Sequence, residues 1–161
     1  MAFWYKIKLK NKVMQKLLYS PPALIAYSIF FMLFLYLFLR RFNLLLFPYN
    51  LIGLVVAVLG LVLMGQARKL FKKHKTPLKL DRSSYLITEG VFSKSRNPIY
   101  LGMTVLILGL SIFSTNIIAL VVPLAFFELV KWKYVIKEEQ IMYDTFGKEY
   151  LNYKKTVRRW I

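Results

Sequence analysis

The uninterrupted apolar run from Pro22 to Leu39 limits what this chain can fold into more than any other feature of it. It holds no charged residue over 18 positions. At 1.5 Å per residue a helix of that length reaches roughly 27 Å, close to the roughly 30 Å of bilayer hydrocarbon. It reads as a spanning helix. A second run, Leu44 to Gly65, has Pro48 near its start and Gly53, Gly60 and Gly65 as places for close helix packing. Arg40, Arg41 and Asn43 make the turn between the two. Two shorter runs follow, Pro98–Phe113 and Ile117–Val130, with only Ser114, Thr115 and Asn116 between them. That spacing predicts a tight helical hairpin. Its arms reach roughly 24 and 21 Å by the same rise, so they span by thinning the bilayer or by leaning on the first two helices. The chain is 58% hydrophobic with a mean hydropathy of +0.49, above the roughly 45–50% of soluble domains.

The expected fold is therefore an all-α integral membrane protein of about four transmembrane helices. It divides into 1–66, a basic segment with two helices, and 67–161, a polar loop, the hairpin 98–130 and terminal helices over 131–161.

The net charge of +17 follows the same plan. Five lysines precede the first helix, nine cations lie from Arg68 to Arg96, and eight follow the fourth helix. Only two stand in the first turn and none in the second. By the positive-inside rule both termini, the loop and the terminal helices are cytoplasmic, and the cations meet anionic lipid headgroups. Nucleic acid needs a basic face on a soluble fold, and this distribution argues against it. The apolar run after the basic start is long, with no small-residue cleavage site behind it, so it is expected to stay as an anchor. With no cysteine and one histidine, a thiolate or zinc site is not expected.

The 30-residue polar stretch from Arg68 to Asn97 is longer than a compact domain needs as a connection. Within it "SSYLITEGVF" has the β-branched and aromatic content of an ordered extended piece turning at Gly90. His74, inside "KLFKKHK", is expected on a solvated basic surface. The tail continues the fourth helix, breaks at Gly147 and resumes through "KEYLNYKKTVRRW".

Three groups of residues carry chemistry. Asn97 and Pro98 open a helix, Asn by accepting from free first-turn amides and Pro because it needs no amide there. A helix start beside Arg96 also attracts anions, and Tyr100 lies one turn on. In "VIKEEQIMYDTF", Val135, Glu138, Ile141 and Met142 share a helical stripe, with Glu139 about 100° away. Glu138 thus interrupts an apolar face, as a carboxylate paired with Lys131, Lys137 or Arg68 or as one facing a polar ligand. Glu128 sits near Lys131 and the membrane surface, which fits a snorkelling pair.

In order, "TPLKLDRSSYLITEGVFSKSRNPIYLG", the hairpin and "EEQIMYDTFGKEYLNYKKTVRRWI" resemble the isoprenylcysteine carboxyl methyltransferase family, in its prokaryotic form with Asn97 where eukaryotic members have His. The family pattern is matched by Arg96, Asn97, Pro98, Tyr100 and Gly102, then Glu138, Glu139, Phe146, Gly147, Tyr150 and Tyr153. The resemblance implies S-adenosylmethionine bound at the cytoplasmic side, with Arg96, Asn97, Pro98, Tyr100, Leu101 and Gly102 on one wall. Glu138, Glu139, Tyr150 and Tyr153 would form the other. It also implies a lipophilic methyl acceptor entering from the bilayer. A carboxylate acceptor is already ionised near neutral pH and needs a cation to orient it, for which Arg158 or Arg159 is the choice. An amine or thiol would need a base, for which Glu138 is nearest. Phospholipid or small-molecule N- or S-methyl transfer, an NADPH-dependent sterol-type reduction and a non-catalytic membrane role stand as alternatives.

Overall fold

The structure is a computed structural model that describes residues 20–43, 47–77 and 85–161. The basic N-terminal segment, the expected start of the second apolar run and Ser83–Ser84 lie outside these residues. Among the described residues the chain is helical, without a strand.

Helix α1 (Pro21–Phe38) begins on two prolines, where a missing amide proton costs no hydrogen bond, and ends one residue before Leu39, the last residue of the expected run. Helix α2 (Leu51–Lys73) differs from expectation at both ends. Residues 47–50 form a turn, and the helix then passes Gly65 without a break. Gln66 to Lys73 hold good helix formers; the end of an apolar run is not the end of a helix. Lys72 and Lys73 occupy the last turn, where cations favour the helix dipole.

Both helices are long and apolar enough to cross a membrane, and only 11% of α1's apolar span and 28% of α2's is buried. Phe30, Val55 and Leu59 stand exposed. Apolar surface this extensive needs hydrocarbon rather than water around it.

Helix α3 (Pro98–Phe113) has the expected bounds and packs along α2 through a seam of small residues. A Cβ on Gly60 would come within 2.6 Å of the Gly102 carbonyl oxygen, and one on Gly53 would strike the backbone at Gly109 and Phe113. Gly65, expected in the same seam, faces open space. The hairpin turn leads through a 3₁₀ turn (Ile117–Leu120) into α4 (Val121–Val130). Met32, Leu35, Met103, Ile107 and Phe126 join α1, α3 and α4 in one apolar core.

After α4 the backbone winds as a π-helix over Lys131–Val135 and then as α5 (Ile136–Phe146). Gly147, at φ 51°, separates α5 from α6 (Lys148–Thr156). Beyond α6 the chain is extended and straps back across the start of α3. The Arg96 amide donates to the Arg158 carbonyl at 3.1 Å, and Trp160 packs on Phe127 with ring centres 4.5 Å apart.

Candidate active site

The start of α3, α5 and α6 meet around a cavity of about 240 Å³. Its polar wall carries Arg96, Asn97, Tyr100, Glu138, Glu139 and Tyr150. Its apolar wall comes from Phe71 on α2, the Leu86–Ile87 segment, Phe92, and Met103 on α3. Pro21, Pro22 and Arg68 complete it at the ends of α1 and α2.

Asn97 precedes α3 but does not cap it with its side chain. Its backbone carbonyl accepts from Leu101 at 3.0 Å, and its side-chain amide donates to Glu139 Oε1 at 3.4 Å and to the Arg159 carbonyl at 3.3 Å. The expected cap is corrected for a plain reason: a buried amide with a carboxylate in range gains more from that carboxylate than from its own first turn.

The register expected for the glutamates is also corrected. Glu139 is 8% exposed and follows Val135, at 0%, by one turn, whereas the 3.6-residue stripe had put it aside. Residues three and four apart share one face of an α-helix, so Glu138 and Glu139 both follow Val135 inward and both reach the cavity. They have opposite surroundings. Tyr100 Oη donates to Glu138 at 2.6 Å, and burial pushes the Glu138 carboxyl above the usual range against that single hydrogen bond. Glu139 is raised by burial too, but Arg159, Arg96 and Asn97 outweigh burial and hold it below the usual range. Arg159 grips Glu139 with Nε and Nη2, both at 2.9 Å; Arg96 Nη2 approaches it at 3.4 Å and Arg96 Nη1 donates to Tyr150 Oη. Tyr153 Oη donates to the Phe92 carbonyl at 2.6 Å, fixing α6 to the loop.

Residues 49–149 match the phospholipid methyltransferase family. The chain belongs to that family. Two relatives are similar to it over most of its length. The protein-S-isoprenylcysteine O-methyltransferase of Saccharomyces cerevisiae is 30% identical over 125 residues, covering 69% of this chain and 51% of the yeast protein. The enzyme of that name from Schizosaccharomyces pombe is 28% identical over 138 residues, covering 74% and 56%. The chain thus spans about half the length of the curated relatives it matches. The methyltransferase resemblance expected from "RNPIYLG" and "EEQIMYDTFGKEYLNY" is borne out.

Not every expected site residue reaches the cavity. Gly102 packs against Gly60 and Met64 in the α2–α3 seam, and Leu101 beside it is not part of the lining. Arg158 is exposed and meets the site only through its carbonyl. The Arg159 guanidinium is occupied by Glu139. Neither arginine is among the described residues that line the cavity. Tyr134, missed in the sequence, stacks on Tyr100 with centres 6.1 Å apart. His74, expected in solvent, donates from Nε2 to Glu89 at 2.8 Å and stacks on Tyr85, a lining residue, at 4.3 Å. Glu128 pairs with Lys131 at 3.1 Å as expected.

A methyl donor of the S-adenosylmethionine type carries a carboxylate, an ammonium, a sulfonium and a flat base. The donor set fits it. Among the described residues Arg96 Nε is buried without a hydrogen-bond partner, a vacancy for an anionic oxygen. Glu138 faces the cavity and, among the described residues, takes a hydrogen bond from Tyr100 alone, a place for a cation. Phe71, Phe92 and Met103 offer apolar surface for a ring.

Proposed function

We propose that this chain is a multi-pass integral membrane methyltransferase that uses S-adenosylmethionine and O-methylates a lipophilic carboxylate of the isoprenylcysteine type. One observation carries the reading: a cavity with one end built of buried charges and the other lined by apolar side chains, set beside helices whose apolar surface is exposed. An amphipathic acceptor has that same division.

S-adenosylmethionine, when bound, supplies an electrophilic methyl group on a sulfonium. The residues of this chain align and exclude water. Arg96 meets the donor's carboxylate through its free Nε, and Glu138 meets its cationic part. Glu139, Arg159 and Asn97 act behind them by holding Arg96 and the start of α3 in place. Leu86, Ile87 and Phe92 close the cavity to water. An ionised carboxylate acceptor needs no base, so Glu138 serves charge rather than proton transfer. The distribution of cations supports four spans with the charged end and both termini in the cytoplasm, and Lys72 and Lys73 at anionic headgroups.

The test is heat denaturation of the detergent-solubilised protein with S-adenosylhomocysteine, with NADPH, or with neither. At 100 times its dissociation constant a ligand adds about 2.7 kcal/mol, and stabilisation is expected with the first only. Stabilisation by NADPH alone would replace this reading with a reductase.

A further inference from the structure

A cavity that takes an amphipathic anion needs a cation that no other group has claimed. Among the described residues two cationic side chains line this one. Arg96 is committed, since it is buried between Glu139 and Tyr150 and its one free nitrogen, Nε, is assigned to the donor's carboxylate. Arg68 is different. It is exposed on α2, and among the described residues no carboxylate lies within ion-pair distance of it and no acceptor takes its protons.

Its place in the chain is as telling as its freedom. Leu51 to Ala67 contains no charge, and Arg68 is the first charged residue of α2. It therefore stands where the apolar span gives way to the polar end, the depth at which an amphiphile carries its head. Ala67, wholly buried, and Phe71, one turn on and in the cavity wall, fix the face it presents. Pro21 and Pro22 of α1 share that wall.

We infer that Arg68 is the acceptor-binding cation of this site: it holds the anionic oxygens of an amphipathic acceptor while the tail stays among the apolar faces of α1 and α2. This rests on the methyltransferase reading for its purpose but not for its chemistry. Among the described residues the cavity then holds two side chains of opposite sign without an ionic partner, Arg68 for the acceptor and Glu138 for the donor. A bidentate guanidinium–carboxylate contact is a charge-assisted pair with defined geometry, which ranks acids above neutral isosteres. A carboxylate and a headgroup phosphate offer it the same chemistry.

Binding of N-acetyl-S-farnesylcysteine and of its carboxamide to the detergent-solubilised protein measures this directly. The wild type is expected to bind the acid about tenfold or more tighter than the amide, Arg68→Gln to lose that preference and Arg68→Lys to keep part of it. The S-adenosylhomocysteine shift stays unchanged in both variants. Nanodiscs of phosphatidylglycerol against phosphatidylcholine form the second arm, and an Arg68-dependent preference there alone assigns the site to a lipid phosphate. Arg68-dependent binding of the acid without methyl transfer would leave this inference standing and sink the transferase reading. An acid preference that survives in Arg68→Gln overturns the inference. So does loss of the S-adenosylhomocysteine shift with acceptor preference intact, which would make Arg68 a donor ligand, or no Arg68 dependence in either arm.

Discussion

Two asparagines open the two arms of the α3–α4 hairpin, and they are used in opposite ways. Asn116 is 1% exposed and keeps its cap: its oxygen accepts from the Ile118 amide at 3.0 Å, and its amide donates to Leu39, Asn43 and Leu35. It ties the turn to the end of α1. Asn97 gives up the equivalent cap and reaches across to Glu139 and the strap. The same residue type at the same kind of position is structural where its neighbours are carbonyls, and part of the site where they are ionised.

The comparison is broken most severely through the carboxylate that draws Asn97 away. Glu139→Ala leaves Arg96 and Arg159 without their acceptor, and stranding a buried charge costs about 3–5 kcal/mol. Thermal denaturation should show that loss together with loss of S-adenosylhomocysteine binding. Stability near wild type would mean the arginines find other partners. Next comes Asn116→Ala, which removes one cap and three donated bonds and is expected to cost about 1–3 kcal/mol with ligand affinity unchanged. Asn97→Ser sharpens the contrast because serine caps well. Its stability should fall by about 1 kcal/mol or less while ligand affinity drops several-fold; unchanged affinity would return Asn97 to an ordinary cap.

The smallest effect concerns pH, and the two glutamates should differ in sign. Glu138 has its folded pKa raised, so the folded state resists ionisation and stability falls as pH rises from the unfolded carboxylate pKa to the raised one. Glu139 has its folded pKa lowered, so its contribution is complete above the unfolded pKa and is lost as pH falls through the depressed one. Glu138→Gln should remove the first slope and leave the second. Affinity for S-adenosylhomocysteine, whose ammonium favours an ionised Glu138, should rise over the first range in wild type only.

Much of this was legible in the residues. Pro98 behind Asn97 marked the start of α3, three polar residues marked its turn, and Gly147 marked the break before α6. The contents of the site were less so. The expected stripe ran from Val135 through Glu138 to Ile141 and Met142 and passed over the four-residue step from Val135 to Glu139, which lies on the same face of a regular helix, and so hid the inward turn of Glu139. The Arg159–Glu139 pair is 20 residues apart in the chain, and only the strap after α6 joins them. Arg68 was read as a loop cation because apolarity stops before it, while the helix that carries it does not.

The seam between α2 and α3 also sets a length. Gly53 and Gly60 are seven residues apart, as are Gly102 and Gly109, and they meet in antiparallel order. Sliding one helix by a turn would push side chains into backbone at both crossings, so only one vertical alignment is open. That alignment fixes how far Arg68 on one helix stands from Asn97 and Tyr100 at the foot of the other. The gauge of the site, and with it the size of the head group that fits between its charges, is set by four glycines packed in that seam.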